Sequence, residues 1–436
     1  MSAPAVSSLS CPQCGAAITL RALDQAQTVA CASCGSVLDA RDPNLRVLQA
    51  YEEAQKFTPQ IPLGTRGVLK GEKWEVVGFQ VRCATIDGSS YYWDEYVLFN
   101  PYKGFRYLTQ YDGHWNDVQV VKAAPTESVS GRQPFVTLHG ETFRHFQTST
   151  GDTVFVLGEF PWRVRVGDRA VLRDFVAPPR MLSEEQTPGE TTWSLGTYLE
   201  PAQVWKAFAL SGEPPAPHGV YANQPDTYKP VAVSMWKRFA LFGAIVLAFG
   251  LLRLITASRT TVFSMSSSFS PARPADSLAY VTRAFTVSGR TANLVLTTET
   301  DVDNGWAYFD YALVNEQTGK TYEIGREVGY YHGYDSDGSW SEGSPRDRAV
   351  LPSVPPGRYF LRVQPQGQTS GGATSISYTL ILKRDVPMPS LYLVALLLLV
   401  LPPAAMAIRA AAMESARWKE SDYASTESGP TSGGAE

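Results

Sequence analysis

The segment LYLVALLLLVLPPAAMAI, from Leu391 to Ile408, contains 18 residues and no charge. A helix of this length and composition is long enough to cross the hydrocarbon core of a bilayer. The segment therefore predicts a transmembrane helix over residues 389–409. Pro402 and Pro403 are expected to kink or end this helix near its exit from the membrane.

A second apolar segment, FALFGAIVLAFGLL from Phe239 to Leu252, is shorter and is followed by Arg253. Counted on to Ala257 it has 19 residues, or ~28 Å at a helical rise of ~1.5 Å. The flank Trp-Lys-Arg at residues 236–238 is typical of a membrane interface. We predict a first span over residues 236–257, with Arg253 snorkelling to the interface. A buried core helix is the alternative.

Two spans would place both termini on one side of the membrane and residues 260–386 on the other. Lys and Arg residues near the spans divide six against five, so charge orients the chain only weakly. Four of the five cysteines lie in the first 34 residues, and thiols stay reduced in the cytosol. We expect cytosolic termini and an extracytoplasmic segment. Residues 1–10 have neither positive charge nor an apolar run, so no cleavable signal peptide is expected.

The N-terminal cysteines form two C-x-x-C pairs, Cys11/Cys14 and Cys31/Cys34, separated by 16 residues. Each pair places two thiolates on one tight turn, and two such turns build a tetrahedral four-sulfur site that suits Zn²⁺. We predict a zinc ribbon over residues 1–40 with a structural zinc ion, because four cysteines leave no open coordination position. A redox pair and a rubredoxin-like iron site are the alternatives.

Short β-type runs between glycine turns predict a barrel-like or sandwich-like cytosolic domain over residues 61–210. The order Trp74, Val76, Gly78, Phe79 breaks the alternation of a strand and indicates a β-bulge. The stretches GEKWEVVGFQVRC and GEFPWRVRVGDRAVLRDFV, which start at Gly71 and Gly158, share a Gly-Glu opening and a tryptophan. This echo indicates a duplicated unit.

The remaining segments complete a mainly β, multidomain membrane protein. Residues 43–57 predict a helix with Leu45 and Leu48 on one face. Turn-separated strands predict an extracytoplasmic antiparallel β-sandwich of about seven strands over residues 275–385. Pro-rich or Ser-rich composition predicts linkers at residues 211–235 and 265–274 and a disordered tail at residues 417–436.

A cluster of aromatic and acidic residues is the best candidate for a ligand site. Carboxylates and ring faces could hold a cationic amine such as a polyamine. The alternative is that these residues stabilise a strand ladder and a turn. The cluster consists of Trp93, Asp94, Glu95, Tyr96, Asp112, His114 and Trp115.

Other classes of function have less support from the sequence. The net charge of −4 provides no basic stripe for nucleic acid. GxSxG, GxGxxG and P-loop motifs are absent from the sequence, which argues against common enzyme classes. Cys83 is interpreted as a small buried residue.

The stretch from Ile61 to about Val121 contains a set of specific motif positions. They are Leu63-Gly64, Gly67, Trp74 to Phe79, Trp93 to Tyr96, Leu98 to Pro101, Gly104 to Arg106 and Asp112 to Trp115. On these positions the stretch resembles the bacterial family named domain of unknown function 4178. Including the echo, the resemblance extends to about residue 205, where Trp193-Ser194-Leu195-Gly196 stands in place of the Trp-Asp-Glu-Tyr motif.

The resemblance implies a bacterial protein, and hence the inner (cytoplasmic) membrane as the location of the two spans. Some members of the family carry zinc ribbons, and some are encoded near polyamine aminopropyltransferase-like enzymes and small membrane proteins. This implies a membrane-associated assembly. Our leading hypothesis is a non-catalytic membrane scaffold or sensor that binds protein partners. A binding module for a small cationic, polyamine-like ligand is the first alternative, and an uncharacterised enzyme component is the second.

Overall fold

The structure is a computed structural model that describes residues 7–22, 25–50, 57–86, 88–130, 133–336, 338–369 and 374–424. The chain forms two compact units. The barrel unit comprises Met1–Ser234 and Ala404–Glu436, and the sandwich unit comprises Met235–Pro403.

The barrel unit is almost entirely β-structure. Among the described residues that precede the first long helix, the one helix is the short α1 (Pro201–Phe208). Its strands are β1 (Ser7–Ser10), β2 (Ala17–Leu20), β3 (Thr28–Ala30), β4 (Val37–Asp39), β5 (Val47–Gln49), β6 (Arg66–Leu69), β7 (Glu72–Ile86), β8 (Ser89–Asn100), β9 (Gly104–Tyr111), β10 (His114–Val120), β11 (Thr126–Ser130), β12 (Gln133–Leu138), β13 (Glu141–Phe160), β14 (Arg169–Ala177), β15 (Arg180–Thr187) and β16 (Glu190–Leu199).

Eight of these strands form a closed antiparallel barrel. The order around it is β13-β14-β15-β16-β10-β9-β8-β7, and β7 pairs back with β13. Each half, β7 to β10 and β13 to β16, is a four-stranded meander. The halves join through β10 with β16 and through β7 with β13, so the barrel leaves no free edge within its ring.

Two glycines allow the ring to close. Gly78 of β7 and Gly158 of β13 are paired in register. A Cβ atom on Gly78 would overlap the carbonyl oxygen of Glu159, and one on Gly158 would overlap that of Val77. Gly158 also has a φ of 81°, which favours glycine. The bulge predicted near Gly78 is confirmed, because the register of β7 with β8 shifts between Val76 and Gly78.

Alternate side chains of the barrel strands face the lumen and the outer surface. Apolar patches on the outer surface are covered: α1 packs on the first half through Val204 and Phe208, and the β11–β12 hairpin packs on the second half through Val136 and Leu138. The lumen is mainly polar between its apolar ends. An ion pair between Arg82 of β7 and Glu185 of β15 crosses it.

Two expectations about the barrel unit are wrong. The helix predicted over residues 43–57 is absent from its described part, where Leu45 has a φ of 52° and β5 follows; residues 51–56 lie outside the described residues. The proposed correspondence between the stretches that start at Gly71 and Gly158 does not align equivalent strands either. Gly71 precedes β7, the first strand of its meander, whereas Gly158 lies near the end of β13.

The segment that follows α1 packs on the barrel, so the expected linker over residues 211–235 is wrong in part. Asn223 is fully buried, and its Nδ2 donates to Asn116 Oδ1 at 2.7 Å and to the carbonyl of Pro179 at 3.2 Å. Helix α2 (Tyr228–Thr256) begins before the expected linker ends.

The first residues of the expected disordered tail are also ordered. A 3₁₀ turn covers Trp418–Glu420. Arg417 is 1% exposed and donates to the carbonyls of Tyr221 and Ala222 at 3.1 and 2.8 Å. Residues 425–436 lie outside the described residues.

The sandwich unit contains two antiparallel sheets around one apolar core. The four-stranded sheet has the order β17-β26-β20-β24, and the six-stranded sheet has the order β18-β25-β21-β22-β23 with β19 beside β25. The elements are β17 (Thr260–Phe269), α3 (Ala275–Leu278), β18 (Tyr280–Val281), β19 (Phe285–Val287), β20 (Ala292–Thr300), β21 (Gly305–Asn315), β22 (Thr321–Asp335), β23 (Gly338–Gly343), β24 (Arg346–Val354), β25 (Gly357–Thr369) and β26 (Ile376–Arg384).

The sandwich begins earlier than expected, because β17 pairs with β26 along its length. Residues 265–269 therefore belong to a strand rather than to a linker. Phe263 and Phe269 of this strand enter the core beside Phe309 and Leu380. The alternation of Thr260–Phe269 is masked in the sequence by its run of serines, which resembles linker composition.

Two helices, α2 and α4 (Pro389–Arg417), are each 29 residues long and apolar enough to span a membrane. Pro402 and Pro403 lie inside α4, so of the two expected outcomes, a kink or an end of the helix, the second is wrong. Gly243 of α2 faces Leu396 of α4, and Gly250 faces Tyr392. The seven-residue spacing of these glycines places both on one helix face, where small residues allow close packing.

Candidate functional site

The four N-terminal cysteines lie together as the spacing predicted. Their sulfur atoms are all within 4.8 Å of one another, a grouping that could hold a metal ion. Cys11 Sγ is 3.8 Å from Cys34 Sγ, and Cys14 Sγ is 3.8 Å from Cys31 Sγ.

Matching turns present the two thiol pairs. The amide of Gly15 donates to the carbonyl of Cys11 at 2.8 Å, and the amide of Gly35 donates to that of Cys31 at 2.9 Å. Both glycines have a positive φ, of 75° and 72°. The turn that follows each C-x-x-C pair therefore needs a residue that adopts the left-handed conformation.

The environments of the two thiols in the second pair differ. Burial raises the pKa of Cys31 to about 12. Burial also acts to raise the pKa of Cys34, but hydrogen bonds with Ser36 outweigh it and lower that pKa to about 7. The thiolate form, which is the metal-binding form, is therefore more accessible at Cys34.

The lumen of the barrel contains a polar network of residues from three strands, β7, β8 and β15. Arg82 Nη1 donates to Glu185 Oε1 at 2.8 Å. Glu95 accepts from Gln80 Nε2 at 2.5 Å and from Trp93 Nε1 at 2.7 Å. The Arg82 guanidinium lies 5.7 Å from the centre of the Trp93 ring. We name these five residues the lumen network.

Burial and neighbouring charges have opposite effects on the pKa of Arg82 in this network. Burial acts to lower the pKa of Arg82, but Glu95 and Glu185 outweigh it and raise that pKa. Tyr107, on the same face of the next strand, has its pKa raised to about 12 by burial and by the charge of Glu95. The side chain of Glu185 is 41% exposed, so water reaches the network at this end.

The structure separates the two carboxylates of the Trp-Asp-Glu-Tyr motif. Because neighbours on a strand point to opposite faces, Trp93 and Glu95 face the lumen whereas Asp94 and Tyr96 face outward. Tyr96 is buried and stacks on Trp115, with ring centres 5.5 Å apart. Burial raises the pKa of Asp94 to about 6.

His114 and Asp112 hold the segment after α1 against one end of the barrel. His114 is 1% exposed, and its ring nitrogens lie 2.9 Å from the hydroxyl of Tyr198 and 2.9 Å from the carbonyl of His218. Burial lowers the pKa of His114, so its ring is neutral at pH 7. Asp112 is an exposed turn residue whose carbonyl accepts from the amide of His218.

Of the seven residues proposed from the sequence, Trp93 and Glu95 thus belong to one polar network. Asp94, Tyr96 and Trp115 lie outside the lumen, and Asp112 and His114 lie at a turn. Three network residues were not proposed from the sequence: Gln80, Arg82 and Glu185. The polar alternation of Gln80 and Arg82 within a strand whose intervening residues are apolar is the signal that could have found the first two.

Residues 62–201 match the model of a protein family described as "Domain of unknown function (DUF4178)". This part of the chain is a DUF4178 domain. The match runs from the residues before β6 to the start of α1, so it contains both meanders of the barrel. The second meander, where the sequence resemblance is weak, is therefore an integral part of the DUF4178 domain. The lumen network lies wholly within it.

No curated protein matches the chain. Among solved structures, the infectious bursal disease virus Gt strain is similar at 12% identity and a TM-score of 0.16, covering 87% of this chain and 64% of that chain. The Gx strain of that virus is similar at 11% identity and a TM-score of 0.16, covering 82% and 63%. The chain therefore spans less than two thirds of these viral chains, and the scores do not indicate a shared fold.

Proposed function

We propose that this protein is a membrane-anchored, non-catalytic scaffold or sensor whose DUF4178 domain and cysteine module bind a protein partner. The observation that carries the proposal is the exposed apolar surface of α2 and α4. Leu241 and Ile255 of α2 are 61% and 73% exposed, and Leu393 and Ile408 of α4 are 66% and 69% exposed. Such surfaces are stable in lipid rather than in water.

The lengths of the helices support the same proposal. A helix of 29 residues is ~44 Å long at ~1.5 Å per residue, and the hydrocarbon core is ~30 Å thick. Both helices therefore have about one or two turns to spare on each side. We place them in the inner membrane of a bacterium, with both termini in the cytosol and residues 260–386 outside, because the four thiols require a reducing compartment.

We assign zinc to the cysteine cluster. A tetrahedron with Zn–S bonds of about 2.3 Å has S–S edges of about 3.8 Å, and the two closest Sγ pairs are 3.8 Å apart. A disulfide would require sulfur atoms about 2 Å apart. Because all four positions are filled by cysteine, the ion would be structural, and it would hold the two turns of the module together.

Partner binding can be tested in native membranes. Tagged full-length protein is crosslinked in place, solubilised and purified, and co-purifying proteins are quantified. We expect one partner protein to co-purify in near-stoichiometric amount. The variant Trp340→Ala, in the sandwich unit, should still bind this partner. The double variant Cys14→Ser/Cys31→Ser, in the cysteine module, should no longer bind it. Recovery of nothing above background would contradict the scaffold proposal.

A second candidate function is the binding of a small cationic ligand, such as a polyamine, in the barrel lumen. It is favoured by the excess of carboxylates there: Glu95, Glu185 and Asp174 share the lumen-facing register with Arg82. Aromatic rings that can face a cation, Trp93 and Tyr107, lie on the same surface. An eight-stranded barrel can enclose one small ligand.

Calorimetry with spermidine separates this candidate from the first. Glu95→Gln and Glu185→Gln should each reduce the affinity by about tenfold, the effect of ~1.4 kcal/mol. Asp94→Asn is the matched control, because it removes the neighbouring carboxylate from the outer face. Absence of heat with the wild-type protein, or equal losses in all three variants, would exclude a site in the lumen.

A further inference from the structure

The six-stranded sheet of the sandwich unit carries a row of aromatic residues on its outer face. Ala307, Phe309 and Val328 point into the core, so their neighbours Trp306 and Tyr308 point outward. The row continues on the next two strands. We call Tyr308, Trp306, Tyr331 and Trp340 the aromatic row.

Strand register makes the row continuous. Trp306 pairs with Gly329, two residues before Tyr331. Tyr331 pairs with Glu342, two residues after Trp340. Each step along the row is therefore a diagonal neighbour or an i, i+2 neighbour, at about 7–8 Å. This spacing is that of a ladder of separate rings rather than of one packed cluster.

Glycines of β22 lie beneath these rings. A Cβ atom on Gly333 would lie 2.8 to 3.0 Å from three ring atoms of Trp340, and one on Gly329 would lie 3.4 Å from the ring of Tyr331. A Cβ atom on Gly325 would overlap the hydroxyl of Tyr308. The three glycines recur every fourth residue on the outward-facing positions of β22, and they let the rings lie against the sheet with their faces toward solvent.

The rings are accessible. Trp340 and Tyr331 are 45% and 37% exposed. Leaving such surfaces in water costs free energy that burial in the core would recover. A side chain arrangement that needs three glycines to expose aromatic faces is therefore better explained by a ligand than by the stability of the sheet.

Polar groups flank the row on β25. Gln368 pairs with Trp306 and Gln366 pairs with Tyr308, and both amides are exposed. At the same end, Trp306 and Gln368 line a groove of about 570 Å³ together with Ser270, Pro271 and Thr374. Rings for stacking and amides for hydrogen bonding thus occur side by side.

Most of the charges near the row are acidic: Asp310, Glu327 and Glu342 face the same way, and Arg362 of β25 is the basic residue nearest to them on this face. They disfavour nucleic acid, anionic lipid and acidic polysaccharide by like-charge repulsion. Carboxylates and amides both accept hydrogen bonds from hydroxyl groups.

We propose that the outer face of this sheet binds an uncharged polysaccharide. The apolar faces of successive sugar rings stack on the aromatic row, and their hydroxyls form hydrogen bonds with Gln366, Gln368 and the flanking carboxylates. The chain enters or leaves over the groove beside Trp306. This inference goes beyond the proposed scaffold function and does not depend on it.

Affinity electrophoresis of the detergent-solubilised full-length protein tests the inference. Native gels contain hydroxyethyl cellulose, dextran or the anionic polymer polygalacturonate. We expect retardation by at least one of the two neutral polymers. Trp306→Ala and Trp340→Ala should each weaken that retardation by about fivefold or more, as expected for a residue that contributes over about 1 kcal/mol.

Two further variants make the result specific. Gly333→Val keeps Trp340 but forces its ring from the sheet, and it should weaken binding as much as Trp340→Ala. Tyr334→Ala removes a ring that is 85% exposed on the opposite face of the same hairpin, and it should leave retardation unchanged. An unchanged thermal unfolding midpoint establishes folding of each variant. The proposal would be overturned if neither neutral polymer retarded the protein, or if polygalacturonate alone did. It would also be overturned if Trp340→Ala and the wild-type protein were retarded equally.

Discussion

Arg253 near the end of α2 forms an ion pair with Asp385, four residues before α4 begins, with Nη2 2.9 Å from Oδ1. The sequence suggested that Arg253 snorkels to the interface. That expectation stays a prediction. Asp385 also accepts from the amide of Ser258 at 3.1 Å, and its side chain is only 5% exposed. The carboxylate of Asp385 thus binds the end of α2 to the segment that leads into α4.

This ion pair should stabilise the sandwich unit. Arg253→Gln leaves the buried carboxylate of Asp385 without its closest cation, and we expect a loss of about 2–3 kcal/mol of unfolding free energy. Thermal unfolding of the full chain in detergent measures it. Arg259→Gln is the control, because Arg259 donates to the carbonyl of Leu254 in an exposed position. Equal losses in both variants would show that the pair is unimportant.

Asp94 should destabilise the barrel unit at neutral pH. Its folded pKa of about 6 lies above the ordinary value of 3.8, so the folded state binds more protons between those values and stability rises as pH falls through this window. Asp94→Asn should increase the unfolding free energy by about 1 kcal/mol at pH 7.5, after allowance for solvent screening.

The gain should disappear at pH 4, where Asp94 is protonated in the folded protein. Asp112→Asn, at an exposed turn, is the control and should show no such pH dependence. Denaturant unfolding at both pH values provides the measurement. A gain of equal size at pH 4 and pH 7.5 would mean that burial of the charge is not its cause.

The segment after α4 should detach from the barrel in acid. His145 Nδ1 is 2.9 Å from the hydroxyl of Tyr423, and its Nε2 is 2.9 Å from Thr148 Oγ1. Burial lowers the pKa of His145 below 6.5. Because the unfolded or detached state binds the proton more readily, docking is stable above pH about 6.5 and weakens as pH falls below it.

Hydrogen exchange of the amides at residues 418–424 follows this docking. We expect faster exchange at pH 5 than at pH 7.5, after correction for intrinsic rates. His145→Gln should remove most of the difference, and His139→Gln, at an exposed turn, should not. A difference that persists in His145→Gln would assign the pH response to another group, such as Asp422, which accepts from the amide of Thr148 at 2.9 Å.

Local patterns in the sequence predicted the features that depend on local chemistry. The apolar runs from Phe239 and Leu391 predicted the two long helices, the C-x-x-C spacing predicted the cysteine cluster, and broken alternation predicted the bulge at Gly78. Features that depend on distant pairing were missed. Arg82 meets Glu185 across 103 positions, and no local pattern indicates which residue a lumen arginine will reach.

Predictions from amino-acid composition were wrong where tertiary contacts order a segment that has the composition of a linker or a tail. The run near Thr260–Phe269 has the serine content of a linker, yet it forms a strand because β26 supplies a paired edge. Residues 417–424 precede a Ser- and Gly-rich end, yet Arg417 and Trp418 pack on the barrel through Tyr221 and Phe146.

The separation of the two units by a membrane is the claim on which the proposed function depends, and thiol labelling in intact cells tests it most directly. Single cysteines are introduced at exposed positions of each unit, Ser128→Cys in β11 and Ser339→Cys in β23, and treated with a membrane-impermeant maleimide. We predict that Ser339→Cys is labelled in intact cells and Ser128→Cys only after permeabilisation, both above the wild-type background. Equal labelling of the two in intact cells, or recovery of the protein in the soluble fraction, would contradict it.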